Sequence, residues 1–104
     1  MDRDQERAIE WDCTQVVNKF YCSLDARSYD DLVNCFTPDG VWKRQGNELQ
    51  GREAIMTAME ERGENLVIRH IVTNVQVTIE DENNASTSEY ITIYRYDSDE
   101  KLEG

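Results

Sequence analysis

Residues 66–80 read LVIRHIVTNVQVTIE, and this stretch decides the fold. It is dense in β-branched residues and free of glycine and proline, so it reads as one long strand and not as a helix. A second stretch of the same character covers residues 86–96, and the polar residues 81–84 between them read as the loop of a hairpin. Strand alternation sets Ile68, His70, Val72 and Asn74 on one face of the first strand, with Arg69, Ile71, Thr73, Val75 and Val77 on the other. In the second strand Tyr90, Thr92, Tyr94 and Tyr96 oppose Ile91, Ile93 and Arg95. Both faces carry apolar area. A sheet covered by helices on one side then needs a second cover on the other, most economically another copy of the chain.

Upstream of the hairpin the apolar period is helical. Across residues 3–25, Ile9, Cys13, Val16, Val17, Phe20 and Leu24 recur at spacings of three and four, one face of a long amphipathic helix whose other face carries Arg7, Glu10, Gln15 and Asn18. Ser28 with Asp31 resembles a capping box and opens a short second helix through Leu32, Val33, Cys35 and Phe36, which Thr37-Pro38-Asp39-Gly40 ends. Residues 41–45 read as a short strand and Gly46-Asn47-Glu48 as a turn. Gly51 opens a third helix with Ala54, Ile55, Met56, Ala58 and Met59 turned inward and Gly63 as its C-terminal stop. This order predicts an α+β fold, three N-terminal helices packed on a curved antiparallel or mixed sheet, in a single domain over residues 1–104 with 98–104 frayed.

Composition narrows the function. The chain has 104 residues, enough for one core but not two. Nine aromatic residues argue for order despite a charged fraction of 32%. With 11 Lys+Arg against 22 Asp+Glu the net charge is −11, and no basic cluster is present to meet phosphates, which disfavours nucleic acid and anionic membranes alike. No apolar run approaches the roughly 20 residues of a membrane span, and the N-terminus MDRDQERAIEW is too charged for a signal peptide, so a cytoplasmic location is expected. Cys13, Cys22 and Cys35 lack metal-site or redox spacing and read as buried free thiols.

Chemistry centres on His70, the sole histidine. Among Ile68 and Val72 it is either a core histidine with its hydrogen bonds satisfied or a general acid/base suited to neutral pH. Asp25 ends the long helix, where the dipole disfavours a negative charge, so it is either solvated near Arg27 or used. If the helix crosses the concave face of the sheet, its end brings Asp25 to His70 as a carboxylate–imidazole pair. Tyr21, Trp42 and Tyr90 are candidate walls for a planar ligand, although two or three aromatic residues at most are expected to face a cavity. Met56 is a candidate adaptable wall and Asn74 a candidate hydrogen-bond partner on the His70 face. No phosphate-binding glycine loop, metal cluster or activated nucleophile is present in the sequence.

Five segments in order, Tyr21-Cys22-Ser23-Leu24-Asp25, Ala26-Arg27-Ser28-Tyr29-Asp30-Asp31-Leu32, Phe36-Thr37-Pro38-Asp39-Gly40, Gly51-Arg52-Glu53-Ala54-Ile55 and Arg69-His70-Ile71-Val72-Thr73-Asn74, carry a family resemblance over residues 5–97. The sequence resembles the SnoaL-like branch of the nuclear transport factor two superfamily, a cystatin-like α+β cone, and is similar to scytalone dehydratase and to ring-hydroxylating dioxygenase β subunits. The resemblance implies a conical pocket, with the catalytic aspartate and histidine of that branch falling on Asp25 and His70. It also implies two further strands after the hairpin, which are not in this sequence: it is a truncated piece, a naturally shortened member or one that completes its sheet with a partner chain, and the edge at residues 90–96 is expected to be covered by another protomer.

Two readings follow. In the first, a cofactor-independent lyase or isomerase of dehydratase type acts on a small hydrophobic, cyclic or aromatic ligand through Asp25 and His70, with Tyr21, Trp42, Met56, Asn74 and Tyr90 as substrate contacts and no metal. In the second, the same cone is a non-catalytic ligand-binding or subunit-assembly domain. Either is expected to form a homodimer through the sheet.

Overall fold

The computed structural model describes residues 1–97, so the expected fraying of 98–104 lies outside the described residues. In chain order the elements are α1 (Arg3–Ala26), α2 (Tyr29–Val33), β1 (Val41–Arg44), β2 (Asn47–Gln50), α3 (Gly51–Glu60), β3 (Leu66–Ile79) and β4 (Ala85–Asp97). The fold is α+β, with the helices packed on a small antiparallel sheet. All strand pairing among the described residues is antiparallel, β1 with β2 and β3 with β4, so no mixed sheet forms.

Helix α1 starts on a full capping box. The Asp2 carboxylate accepts from the Gln5 backbone N–H at 2.8 Å, and the Gln5 side chain accepts from the Asp2 N–H at 3.0 Å. Ser28 does not repeat this for α2, since its hydroxyl makes no capping bond. Its backbone is already engaged, the N–H donating to Ser23 O at 2.9 Å and the carbonyl accepting from Leu32 at 3.0 Å. α2 stops at Val33, leaving Cys35 and Phe36 beyond it.

The expected turn at Gly46-Asn47-Glu48 lies one residue earlier. Gln45 (φ 52°) and Gly46 (φ 81°) both adopt positive φ, as a two-residue hairpin turn of the right twist requires, and Asn47 already pairs with Arg44 in β2. The expected strand at 41–45 is thus half of a hairpin whose return strand the polar composition of residues 47–50 hides. Gly63 is not the stop of α3, which ends at Glu60 with Glu61 in a right-handed conformation.

The core sits at the C-terminal end of α1, where Leu24, Leu32, Val33, Ile55 and Met59 are buried and Phe20, Tyr29, Phe36, Trp42 and Met56 pack around them. Away from this end α1 is thinly covered, and Val16, expected on its buried face, is exposed. The cysteines are free but not buried, Cys22 being exposed and Cys13 and Cys35 partly covered. Burial pushes the Cys35 thiol up, against an opposing effect of Lys19 and with a still smaller upward push from the charge of Asp31. Among the described residues no helix is long and apolar enough to cross a membrane.

The hairpin departs from simple alternation at one residue. Thr73 pairs with Tyr90 but Gln76 pairs with Ser88, so Asn74 and Val75 together face a single residue of β4. Asn74 is the extra residue of this β-bulge, in the left-handed region at φ 56°. The insertion shifts the phase of the strand. Leu66, Ile68, His70 and Val72 face the helices before the bulge, and Val75 and Val77, expected on the other face, take the covered side after it together with Ile79. Asparagine tolerates this backbone where a β-branched residue does not. Asn74→Gly is therefore expected to keep stability within about 0.5 kcal/mol and Asn74→Val to lose about 1–3 kcal/mol in urea denaturation. Equal stability of the two variants would contradict the bulge.

Candidate functional site

The site begins with the way α1 ends. Arg27 adopts the left-handed conformation (φ 58°), its N–H donating to Leu24 O at 3.2 Å while Ser28 N–H donates to Ser23 O at 2.9 Å, the paired bonds of a Schellman termination. Arginine in this conformation is strained relative to glycine. Its guanidinium offsets the cost: Nη2 donates to Gly63 O and to Leu66 O, both at 2.5 Å. Arg62 approaches the same helix end, with Nη1 donating to Leu24 O and to the Tyr29 hydroxyl, each at 3.2 Å. Two arginines from opposite sides of the sequence thus bind the start of β3 to the end of α1. They also bring positive charge to a helix end that has no basic residue of its own in the last turn.

Asp25 lies in that last turn and reaches the middle of β3. Its Oδ2 accepts the His70 backbone N–H at 2.8 Å and its Oδ1 meets His70 Nδ1 at 2.5 Å. The two side chains are 14% and 10% exposed, so the contact is largely removed from water. A carboxylate only accepts, which assigns the hydrogen to Nδ1. Nε2 then remains. It has no partner among the described residues, yet no buried side-chain nitrogen or oxygen there is left unsatisfied, so Nε2 is open to the cavity.

That cavity has a volume of about 390 Å³. Its walls are Phe20 and Tyr21 of α1, Trp42 of β1, Ile68 and His70 of β3, and Ile91 and Ile93 of β4. Phe20 holds the aromatic wall together by edge contacts with Tyr21 at 4.9 Å and Trp42 at 5.2 Å between ring centroids. The Tyr21 ring lies 5.1 Å from the His70 ring. Burial, and then the charge of Glu89, push the Tyr21 hydroxyl above the usual phenol range. Leu24, Gln45, Arg44, Arg62 and Arg95 complete the lining, Arg44 standing 5.5 Å from the centroid of the Trp42 ring.

Of the seven residues singled out from the sequence, Asp25, His70, Tyr21 and Trp42 come together here. Met56, Asn74 and Tyr90 do not line this cavity. Met56 packs against the helical core. The bulge removes Asn74 from the His70 face, and Tyr90, opposite Thr73, is on the outer face of the sheet and 70% exposed. Sequence reasoning missed Arg27, Arg44, Arg62 and Arg95, whose placement depends on the folded chain and not on a local pattern. Among the described residues no three of His, Cys, Asp and Glu cluster as metal ligands.

Removing the Asp25 carboxylate leaves both the His70 amide and Nδ1 without their acceptor. Asp25→Ala is therefore expected to lower unfolding stability by about 1–3 kcal/mol, with Asp25→Asn losing less because an amide oxygen can still accept the backbone N–H. Stability unchanged in Asp25→Ala, read by urea denaturation, would show that the contact does not hold α1 to β3.

This geometry has relatives. A family model described as a SnoaL-like domain matches residues 5–103. No curated protein matches the chain. Among solved structures, a candidate scytalone dehydratase from Novosphingobium aromaticivorans superposes with a TM-score of 0.85 at 16% identity, covering 96% of this chain and 68% of its own. ActVI-ORFA from Streptomyces coelicolor gives 0.72 at 15% identity over 91% of this chain and 75% of its own. A Catenulispora acidiphila protein gives 0.74 at 24% identity over 86% and 68%. These likenesses show a common fold. On the match across nearly its whole length, the chain belongs to the family of SnoaL-like domains.

Proposed function

We propose that this protein binds a small cyclic, largely apolar molecule in the cavity at His70 and acts on it as a dehydratase or isomerase. The observation that carries the reading is the state of His70: one ring nitrogen is held by Asp25 and the other is open to an aromatic-walled cavity. This is the arrangement of a general acid/base oriented by a carboxylate. The SnoaL-like family and the scytalone dehydratase-like neighbour support a ligand-binding, dehydratase or isomerase type. A Catenulispora acidiphila neighbour at 25% identity has been solved in complex with S-DNPA, which supports a ligand-binding role for this fold.

In the proposed reaction His70 Nε2 takes a proton from a carbon next to a substrate carbonyl. The electron pair left behind forms a carbon–carbon double bond as the adjacent carbon–hydroxyl bond breaks, and His70 returns its proton to the departing hydroxyl as water. In an isomerisation the proton is returned to a different carbon. Asp25 holds the ring and stabilises the imidazolium formed on the way. The Tyr21 hydroxyl, kept protonated by burial, is the donor for the carbonyl oxygen on which charge develops. The model substrate 3-hydroxy-1-tetralone, which loses water to give 1-naphthol, tests this by fluorescence. His70→Gln is expected to lower kcat at least about 100-fold while the ligand still raises the melting temperature. Equal turnover by the variant would overturn the acid/base role. Binding without turnover in the unaltered protein would favour a non-catalytic carrier.

The outer face of the β3–β4 hairpin supports an assembly role beside this one. Ile71, Tyr90, Tyr94 and Tyr96 are exposed there, on strands whose cross-strand pairs Ile71 with Thr92 and Arg69 with Tyr94 have no covering layer among the described residues. A second copy covering this face would bury them. Light scattering at micromolar concentration is expected to give the mass of a dimer, and a monomer would contradict it.

A further inference from the structure

The chain carries twice as many acidic as basic residues, 22 against 11, yet the cavity at His70 is lined by three arginines and no aspartate or glutamate. Asp25 stands behind the His70 ring, bonded to Nδ1 and to the backbone, and does not line the cavity. Arg44, Arg62 and Arg95 come from β1, from the turn after α3 and from β4, so no local charge pattern gathers them. In so acidic a chain the usual fate of an exposed arginine is a nearby carboxylate, as Arg3 finds Glu6 and Glu10 and Arg7 finds Asp4. Among the described residues none of the three cavity arginines makes an ion pair with an acid. Glu61 borders an adjoining hollow that shares Arg44 and Arg62, but it pairs with neither.

Each of the three differs in how it is held. Arg62 is the most fixed, bonded to Leu24 O and to the Tyr29 hydroxyl through Nη1 and standing 5.8 Å from the Tyr29 ring centroid, with its remaining N–H groups free of partners among the described residues. Arg44 lies over Trp42, which keeps a guanidinium beside the aromatic wall. Arg95 sits opposite Ile68 in the hairpin register, one pair along from His70 and Ile93 on the same inner face. Three cations left unpaired around an apolar cavity raise the local potential and favour an anion that brings its own flat body.

We infer that the ligand of this cavity is an aromatic or conjugated anion, a carboxylate in the first instance, whose ring system lies against Phe20, Tyr21 and Trp42 while its negative group is received by Arg44, Arg62 and Arg95. Guanidinium groups match a carboxylate with paired N–H donors, which a neutral amide cannot exploit. This deepens the function proposed above and rests on it only for the location of the ligand. The arginine cluster also sets which end of the ligand faces His70: the anion goes to the arginines and the reacting carbons to Nε2.

The test compares 2-naphthoate with its neutral isostere 2-naphthamide, titrated against the full chain with tryptophan fluorescence and calorimetry as readouts. The carboxylate is expected to bind at least about tenfold tighter, with the preference shrinking as salt rises. Arg95→Gln and Arg44→Gln are each expected to reduce the preference to about threefold or less by weakening carboxylate binding more than amide binding, which avoids reliance on Arg62, whose loss also releases the end of α1. Arg69→Gln, on the outer face of β3, is expected to leave the preference intact. Equal binding of acid and amide would overturn the anion site and leave the cavity as a neutral-ligand site. Binding of neither compound would overturn both, and a preference unmoved by Arg44→Gln and Arg95→Gln would place the anion elsewhere and overturn the assignment.

Discussion

One carboxylate uses both of its oxygens to fix the end of α1 to the middle of β3. Asp25 accepts a backbone N–H through one oxygen and meets an imidazole nitrogen through the other, and both belong to His70. The geometry of the cavity depends on this, because the helix supplies Phe20 and Tyr21 and the strand supplies Ile68 and His70. If helix and strand slid by one residue, the aromatic wall would no longer face the ring. An aspartate near a helix C-terminus opposes the dipole. Its cost is offset by two strong acceptor bonds and by the guanidinium groups of Arg27 and Arg62 on neighbouring carbonyls. The contact is therefore structural and chemical at once: it orders the fold locally and leaves the other imidazole nitrogen available.

The element order was legible in the sequence because its longest segments keep a clean period. The helical spacing from Ile9 to Leu24 and the β-branched run through Ile68 and Val72 each extend far enough to outweigh local noise. The meeting of Asp25 and His70 was legible as an option, since a carboxylate ending a helix and a lone histidine in a strand both require an explanation. What escaped was set by single residues. Asn74 inserts one position and turns Val75, Val77 and Ile79 to the opposite face, and a fixed period of two cannot register such a step. Asparagine is the non-glycine residue that best tolerates the left-handed region, so the signal was present but weak. At Arg27 there was no signal at all, because an arginine in that conformation is tolerated only through tertiary bonds to Gly63 and Leu66.

Charge follows the same division between local and tertiary information. The total of −11 is visible at once and disfavours nucleic acid and anionic lipid as partners. It conceals the opposite character of the cavity, where arginines from three separate segments converge. Acids cluster at the start of α1 with Asp2, Asp4 and Glu6 and in the β3–β4 loop with Glu80, Asp81 and Glu82, while Asp25 stands behind the His70 ring and the charge of Glu89 reaches Tyr21. An acidic exterior around an aromatic-walled cavity lined by arginines repels polyanions as a class, and it is compatible with the small anionic ligand proposed for that cavity.

The proposed chemistry turns on Asp25 holding the hydrogen of His70 at Nδ1 and leaving Nε2 open. Because the chain has a single histidine, proton and nitrogen NMR of the imidazole reports on it without ambiguity. One strongly downfield Nδ1–H resonance that is protected from exchange is expected, with Nε2 unprotonated in the neutral ring, and this resonance is expected to disappear in Asp25→Asn. An Nε2–H tautomer, or a ring proton that exchanges freely with water and is indifferent to the Asp25 substitution, would contradict it.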